Sequence, residues 1–282
     1  MQLIADSGST KTNWVLLNKN EVIKACTTRG FNPHYLSEVD IISGLRSELV
    51  PCLDKWVTAI SKIWFYGAGC SGKIVNEKVQ DALGVVFQDS EAEVNSDLLA
   101  AARSLCGNQP GIACILGTGS NSCQYDGLEI KEHIPPLGFL FGDDGSGAEL
   151  GRLLVKAYFQ KDLSAGVAEK FELAFGSDRT AILEKVYSSS TPNRELAGFA
   201  PFVVANLDHA EIYGLAKRTF RQFFENAVLK YTDHQKCPIH FTGSIAFHFQ
   251  PLLNQFMKSY HLNKGVVTKG PMDRLIHFHM EA

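Results

Sequence analysis

At 282 residues the chain has room for two domains or one large one. Hydrophobic residues make up 45% and charged residues 20%, the balance of an ordinary globular protein, and a net charge of −3 without a basic stripe argues against a nucleic-acid partner. No apolar run approaches the ~20 residues of a membrane span and no secretory leader opens the chain, so the expected location is the cytoplasm, with no membrane partner.

The seven cysteines (26, 52, 70, 106, 114, 123 and 237) are odd in number, and no two have CxxC spacing. Buried reduced thiols are the expected state, and a zinc site or iron–sulfur cluster is disfavoured.

In chain order, Gln2–Ala5 is an apolar strand, Asp6-Ser7-Gly8-Ser9-Thr10-Lys11-Thr12 a polar turn, and Trp14–Leu17 a second strand. Small residues let backbone N–H groups approach an anion, and hydroxyls and an ammonium add donors. The acid beside them would repel a bare phosphate, so it makes sense with Mg²⁺ between the two. A third strand, Glu21–Thr27, completes a meander. Gly30-Phe31-Asn32-Pro33-His34 is a loop, and Ser37 caps a helix to about Leu49. Lys62–Tyr66 is a strand ending at Gly67-Ala68-Gly69. A helix over about 73–83 and a short strand at 85–87 follow. Asn95-Ser96-Asp97 then opens a helix over 98–105. From position alone, a plain capping acid is the more common reading of Asp97.

The pattern then restarts. Gly111–Leu116 is a strand, Gly117-Thr118-Gly119-Ser120 a small, hydroxyl-rich turn, Asn121–Tyr125 a strand, Asp126-Gly127 a hairpin turn, and Leu128–His133 a third strand. Two copies of one unit, each with an anion-friendly first turn, suggest a duplicated fold with two lobes. Gly142-Asp143-Asp144-Gly145-Ser146-Gly147 leads into a helix from about Ala148, tethered by Phe139, Leu140 and Phe141. Residues 160–235 are helical, with one long amphipathic helix over 210–231. Ile239–Thr242 is a strand ending at Gly243-Ser244, followed by a helix over about 247–260, a short strand at Val266-Val267 and a closing helix from Pro271.

Taken together, these motifs resemble those of the actin-like ATPase superfamily that includes the hexokinases. Asp6-x-Gly8-x-Thr10-x-Thr12 is similar to its first phosphate loop, Leu116–Asn121 to its second, and Thr242–Ala246 to its adenosine turn. Gly142–Gly147 and Gly30–His34 resemble loops of the N-acetylglucosamine kinase branch, grouped with the BadF/BadG-type ATPases. The resemblance implies an α/β fold of two ribonuclease-H-like lobes, each a mixed five-stranded sheet flanked by helices, with the active-site cleft between them. The lobes would be 1–107 and 108–282, the second with a helical insertion at about 160–235, and the last helix is able to pack back on the first lobe.

The resemblance also implies an ATP-dependent sugar kinase acting on the 6-hydroxyl of N-acetylglucosamine or glucosamine. Asp97 would be the catalytic base. ATP would meet Asp6, Gly8, Ser9, Thr10, Lys11, Thr12, Gly117, Thr118, Gly119, Gly243 and Ser244. Asp6 would hold Mg²⁺, largely through water. The sugar would meet Asn32, His34, Asn121, Gly142 and Asp143. Partners are then ATP and a small amino sugar, and a homodimer is allowed. Two rivals share the scaffold. One is a BadF-type ATPase that activates a radical dehydratase, for which Cys106, Cys114 and Cys123 near the second loop give no cluster signature. The other is a non-catalytic sugar sensor, which would need a DNA-binding segment ahead of a strand that here starts at residue 2.

Overall fold

The structure is a computed structural model and describes residues 1–8 and 11–281. The chain divides into two compact units, Met1–Gly107 with Pro271–Ala282, and Asn108–Gly270.

In the first unit, β1 (Gln2–Ser7), β2 (Lys11–Asn18) and β3 (Glu21–Arg29) form the meander. Next come α1 (Glu38–Gly44), a π-helical turn (Leu45–Leu49), α2 (Val50–Leu53), β4 (Lys62–Gly67), α3 (Lys73–Val86), β5 (Glu91–Ser96) and α4 (Asp97–Cys106). The sheet order is β3-β2-β1-β4-β5, antiparallel across β3, β2 and β1 and parallel across β1, β4 and β5. The register sets Ser7 beside Gly67 and Gly67 beside Ser96. The carboxyl ends of three parallel strands therefore lie in a row, the edge at which open α/β sheets bind ligands.

The second unit repeats this plan. Its strands are β6 (Gly111–Leu116), β7 (Ser120–Tyr125), β8 (Ile130–His133), β9 (Ile239–Thr242) and β10 (Lys264–Thr268), in the order β10-β9-β6-β7-β8. Between β8 and β9 run α5 (Gly138–Phe141), α6 (Gly147–Phe159), α7 (Ala165–Phe175), α8 (Arg179–Tyr187), α9 (Pro192–Ala197), α10 (Ala200–Ala205) and α11 (Ala210–Asn226). After β9 come α12 (Ser244–His248) and α13 (Gln250–Ser259), and after β10 comes α14 (Met272–Glu281). Each first strand is thus central, antiparallel to the second and parallel to the fourth, as a duplicated unit requires. Each unit has its own core. Trp14, Phe31 and Phe65 anchor the first, and Phe171, Phe220, Phe224, Phe241 and Phe249 anchor the second.

Three local expectations are corrected. Residues 85–87 do not form a strand. They end α3, whose Val79, Ala82 and Leu83 are buried, and the strand is the more polar Glu91–Ser96, with only Val94 buried. A short apolar run on a helix face carries no period that separates it from a strand. The helix from Ser37 does not run intact to Leu49, although its capping box with Asp40 is present and Ile41, Leu45 and Leu49 are buried. The cysteines are not all reduced, because Cys26 of β3 is bonded to Cys52 of α2, with Cα atoms 6.2 Å apart. That neighbourhood arises only once the helices after β3 fold back onto it, so spacing could not reveal it.

The first unit is sealed by α14. Leu275 is fully buried and the Arg274 guanidinium donates to the Ser104 carbonyl at 2.6 Å. The Tyr66 hydroxyl accepts from Arg103 at 2.7 Å and lies 2.9 Å from His279 Nε2. A neutral imidazole accepts the hydroxyl proton there. Burial, and secondarily the Arg103 charge, hold His279 down to about 4 from its ordinary 6.5. The unfolded state therefore binds more protons between those values, and stability is lost as pH falls from 6.5 through 4. At about 1.4 kcal/mol per unit, the wild type is expected to lose up to about 3 kcal/mol from this group. Thermal unfolding of His279→Gln across that range is expected to show a correspondingly shallower decline. Parallel profiles for the two proteins would contradict this assignment.

Candidate active site

In the first unit the strand ends place Asp6 and Asp97 close enough to repel. Ser96 caps α4 by accepting from Leu99 N–H at 3.2 Å, which leaves Asp97 in the first turn. Burial, then the Asp97 carboxylate, push Asp6 up to about 6, against the opposing pull of Lys11. Burial also raises Asp97, although the backbone N–H groups at its helix start favour the ionised form. Two acids held in this way stand out from the solvated acids elsewhere, and such pairs mark functional sites.

The turn after β1 is closed by Gly8 N–H donating to Lys11 C=O at 2.9 Å. Ser9 and Thr10 lie outside the described residues, and Lys11 is exposed at the start of β2. The Thr12 hydroxyl is buried, donates to the Arg29 carbonyl at 3.0 Å and lies 2.8 Å from Ser7 Oγ. Ser7 Oγ in turn accepts Phe31 N–H at 3.1 Å. This hydroxyl chain links the first turn to the 30–34 loop. Within that loop Asn32 Oδ1 accepts His34 N–H at 3.0 Å. Asn32 and His34 both press on Gly69, where φ is +86° and a Cβ would come within 2.7 Å of Asn32 Oδ1. Glycine is required there by backbone and by space alike.

In the second unit the β6–β7 turn is tied down by α6, as Gly147 N–H donates to Gly117 C=O at 2.8 Å and Ala148 N–H to Thr118 C=O at 3.0 Å. Gly243, at φ +117°, passes so close to Leu116 that a Cβ would strike its carbonyl. Gly117, Thr118 and Ser244 share a cavity of about 330 Å³ with Ala197, Ala200, Pro201, Val204 and His248. The apolar wall comes from α9 and α10, within the stretch that the sequence shows only as helical. Nothing in its pattern separates residues facing a ligand from residues facing a core.

A second cavity, of about 200 Å³, brings together Ser120, Asn121, Gly142, Asp143 and Asp144 against Ile134, Pro135, Leu137 and Phe223. Asn121 Oδ1 accepts Ser122 N–H at 2.9 Å and lies 3.0 Å from His133 Nε2, so its amide N–H₂ remains available as a donor. The two adjacent acids are not equivalent. Asp144 accepts from Asn226 of α11 at 2.8 Å, whereas Asp143 has a left-handed backbone (φ 60°) and, among the described residues, accepts only Ser120 N–H, at 3.3 Å. Burial raises the Asp143 carboxyl, the Ser120 N–H bond opposes this, and the Asp144 charge adds to it. Non-glycine residues in this backbone region concentrate at functional loops. Gly119 leaves the space that the Asp143 carboxylate occupies.

The three cysteines of the dehydratase-activator reading are buried, Cys114 and Cys123 within β6 and β7 and Cys106 at the end of α4. No group of three or more potential metal-ligating side chains exists among the described residues. No helix among them is long and apolar enough to cross a membrane.

Neither protein-family models nor curated protein sequences return a match. Solved structures do. A protein of Porphyromonas gingivalis with the provisional name N-acetylglucosamine kinase is 41% identical, with all of this chain and 99% of that one covered at a TM-score of 0.96. A protein of Chromobacterium violaceum with the same provisional name is 16% identical, with 98% of each chain covered at a TM-score of 0.76. A ROK family glucokinase of Streptomyces griseus, solved with glucose and AMPPNP, is 13% identical over 100% and 98% of the two chains at a TM-score of 0.56. The latter two share the fold alone. With the Porphyromonas relationship running the full length of both chains, on a frame of two duplicated α/β units, this chain belongs to the N-acetylglucosamine kinase family of the actin-like ATPase superfamily.

Proposed function

We propose that this sugar kinase transfers the terminal phosphoryl group of ATP to the 6-hydroxyl of an amino sugar, with N-acetylglucosamine the preferred acceptor and glucosamine the second. The observation that carries the reading is the pair of raised carboxylates, Asp6 and Asp97, at the aligned ends of β1 and β5. Phosphoryl transfer asks a protein mainly to position groups and offset charge, plus one carboxylate to accept the alcohol proton as the bond forms. Asp97 takes that proton.

Asp6 suits Mg²⁺, which favours one or two carboxylates and keeps much of its water; burial raises Asp6 first and the Asp97 charge second, and a divalent cation would relieve that second part. Bound Mg²⁺ supplies charge neutralisation on the phosphates. Gly117, Thr118, Gly119, Gly243 and Ser244 offer small side chains and close backbone to the nucleotide, and the apolar wall from α9 and α10 suits a base. Asn32, His34, Asn121, Gly142 and Asp143 are assigned to the sugar. The apolar Ile134, Pro135 and Leu137 beside Asn121 support an N-acyl substituent over a bare ammonium.

The test is a coupled ADP-release assay with N-acetylglucosamine, glucosamine, N-acetylmannosamine, N-acetylmuramic acid and glucose, with the phosphorylated position read by NMR. The highest kcat/KM is expected for N-acetylglucosamine, with phosphate on oxygen 6. Sugar-independent ADP release, or a different preferred acceptor, would overturn the assignment.

A further inference from the structure

The second unit contains a larger cavity, of about 700 Å³, that none of the assigned nucleotide or sugar residues needs except at one wall. It lies between α6 and α8, whose facing sides carry Phe159 on one and Ile182, Val186 and Tyr187 on the other, with Phe139 and Phe141 of α5 closing a third side. The site is an open groove rather than an interior void: Phe141 and Tyr187 are each 82% exposed, and large apolar side chains left in contact with water along one groove mark a binding surface. The volume falls in the range of small-molecule sites, which are mostly apolar with a few convergent polar groups.

Three of those polar groups are cationic, against two acids and two glutamines. Arg152, Lys156 and Arg179 line the cavity. The acids there are already engaged. Glu149 is buried and accepts both Nε–H and Nη2–H of Arg152 at 2.7 Å, and Asp144 is held by Asn226. Among the described residues neither Lys156 nor Arg179 makes an ion pair, and Arg152 has donors left after its fork on Glu149.

We propose that this cavity binds a small organic anion, a carboxylate, sulfonate or phosphate on a flat apolar body, and that its occupant acts as an effector on the sugar site. The apolar body lies against Phe159, Ile182 and Tyr187, and the anion meets Lys156, Arg179 and the free edge of Arg152. The link to the sugar site is physical. Phe141, Gly142 and Asp144 line both this cavity and the 200 Å³ cavity of Asn121 and Asp143, so one stretch of backbone is the wall between them. Its flanks, Gly138 and Gly145, are in the left-handed region with Asp143 between them, so a shift on one side is passed to the Asp143 carboxylate. The effector half of the proposal rests on the assignment of Asp143 to the sugar, whereas the binding half does not.

The probe is 1-anilinonaphthalene-8-sulfonate, titrated by fluorescence and equilibrium dialysis into the full chain without ATP or sugar. One molecule per chain is expected. The double variant Lys156→Ala, Arg179→Ala, which changes only exposed side chains, is expected to bind about tenfold or more weakly, as two charge-assisted contacts are lost. The neutral N-phenyl-1-naphthylamine is expected to bind weakly to both proteins. Equal binding by wild type and double variant, equal binding of the neutral dye, or several molecules per chain would overturn the anion site. A shift from dimer to monomer in Tyr187→Ser by analytical ultracentrifugation would also overturn it, by assigning the cavity to a second copy. In kinetic assays the sulfonate is expected to move the sugar KM at least threefold in the wild type and not in the double variant. Binding without that shift removes the effector role and leaves the site. A chain that binds the sulfonate but phosphorylates no sugar would refute the functional assignment instead.

Discussion

Replacing Asp97 with asparagine is expected to lower kcat by about 10²–10⁴, the usual contribution of a positioned general base, with little change in either KM. Asparagine keeps the shape and the place in the first turn of α4, so Ser96 still caps the helix. What is lost is the group able to receive a proton. The same change removes a charge that burial disfavours and that pushes Asp6 up. The variant is therefore expected to be more stable than the wild type above the raised titration point of Asp97, with the nucleotide-induced rise in Tm retained. Steady-state kinetics and thermal unfolding with and without Mg-ATP check both parts. A variant with near-wild-type turnover would remove Asp97 from the chemistry.

Asp6→Asn is expected to show the second-largest loss, about 10²–10³ in turnover, because a charged group that fixes developing charge is removed. Its stability signature distinguishes it from ordinary damage. A carboxylate raised to about 6 from 3.8 binds its proton more tightly in the folded state, so the wild type loses stability as pH rises from about 4 to 6 and remains lowered above that. The cost is up to about 3 kcal/mol at neutral pH. Asp6→Asn is expected to match the wild type in Tm near pH 4, to exceed it above pH 6 in metal-free buffer, and to respond little to added Mg²⁺. A variant less stable than the wild type at pH 7.5 without metal would mean that Asp6 is a structural acid.

Much of this frame was legible in the sequence. The two meanders, their glycine-rich first turns and the restart at Gly111 carry the duplicated plan, because a strand, a tight turn and a second strand leave a period and a composition that survive any tertiary context. What was not legible depends on contacts distant along the chain. Thr12 shows its hydroxyl in the sequence but not the Arg29 carbonyl that β3 brings to it. Cys26 and Cys52 read as separate thiols until α2 lies on β3. Asp143 and Asp144 are interchangeable in a run of glycines, and contacts distant along the chain distinguish them, Ser120 on Asp143 and Asn226, from a helix 82 residues away, on Asp144. The α9–α10 wall of the nucleotide cavity is built from Ala, Pro and Val, which carry no chemical signature of their own.

The return of α14 to the first unit has a consequence for biosynthesis. Tyr66, Arg103 and the underside of α4 acquire their final cover only when residues 271–282 are made. A ribosome delivers the whole of the second unit before it delivers that cover. The later-synthesised half thus has all of its own elements first, while the earlier one, its five strands already made, waits for α14 with an open apolar seam around Leu275's berth, the surface a nascent-chain chaperone would guard.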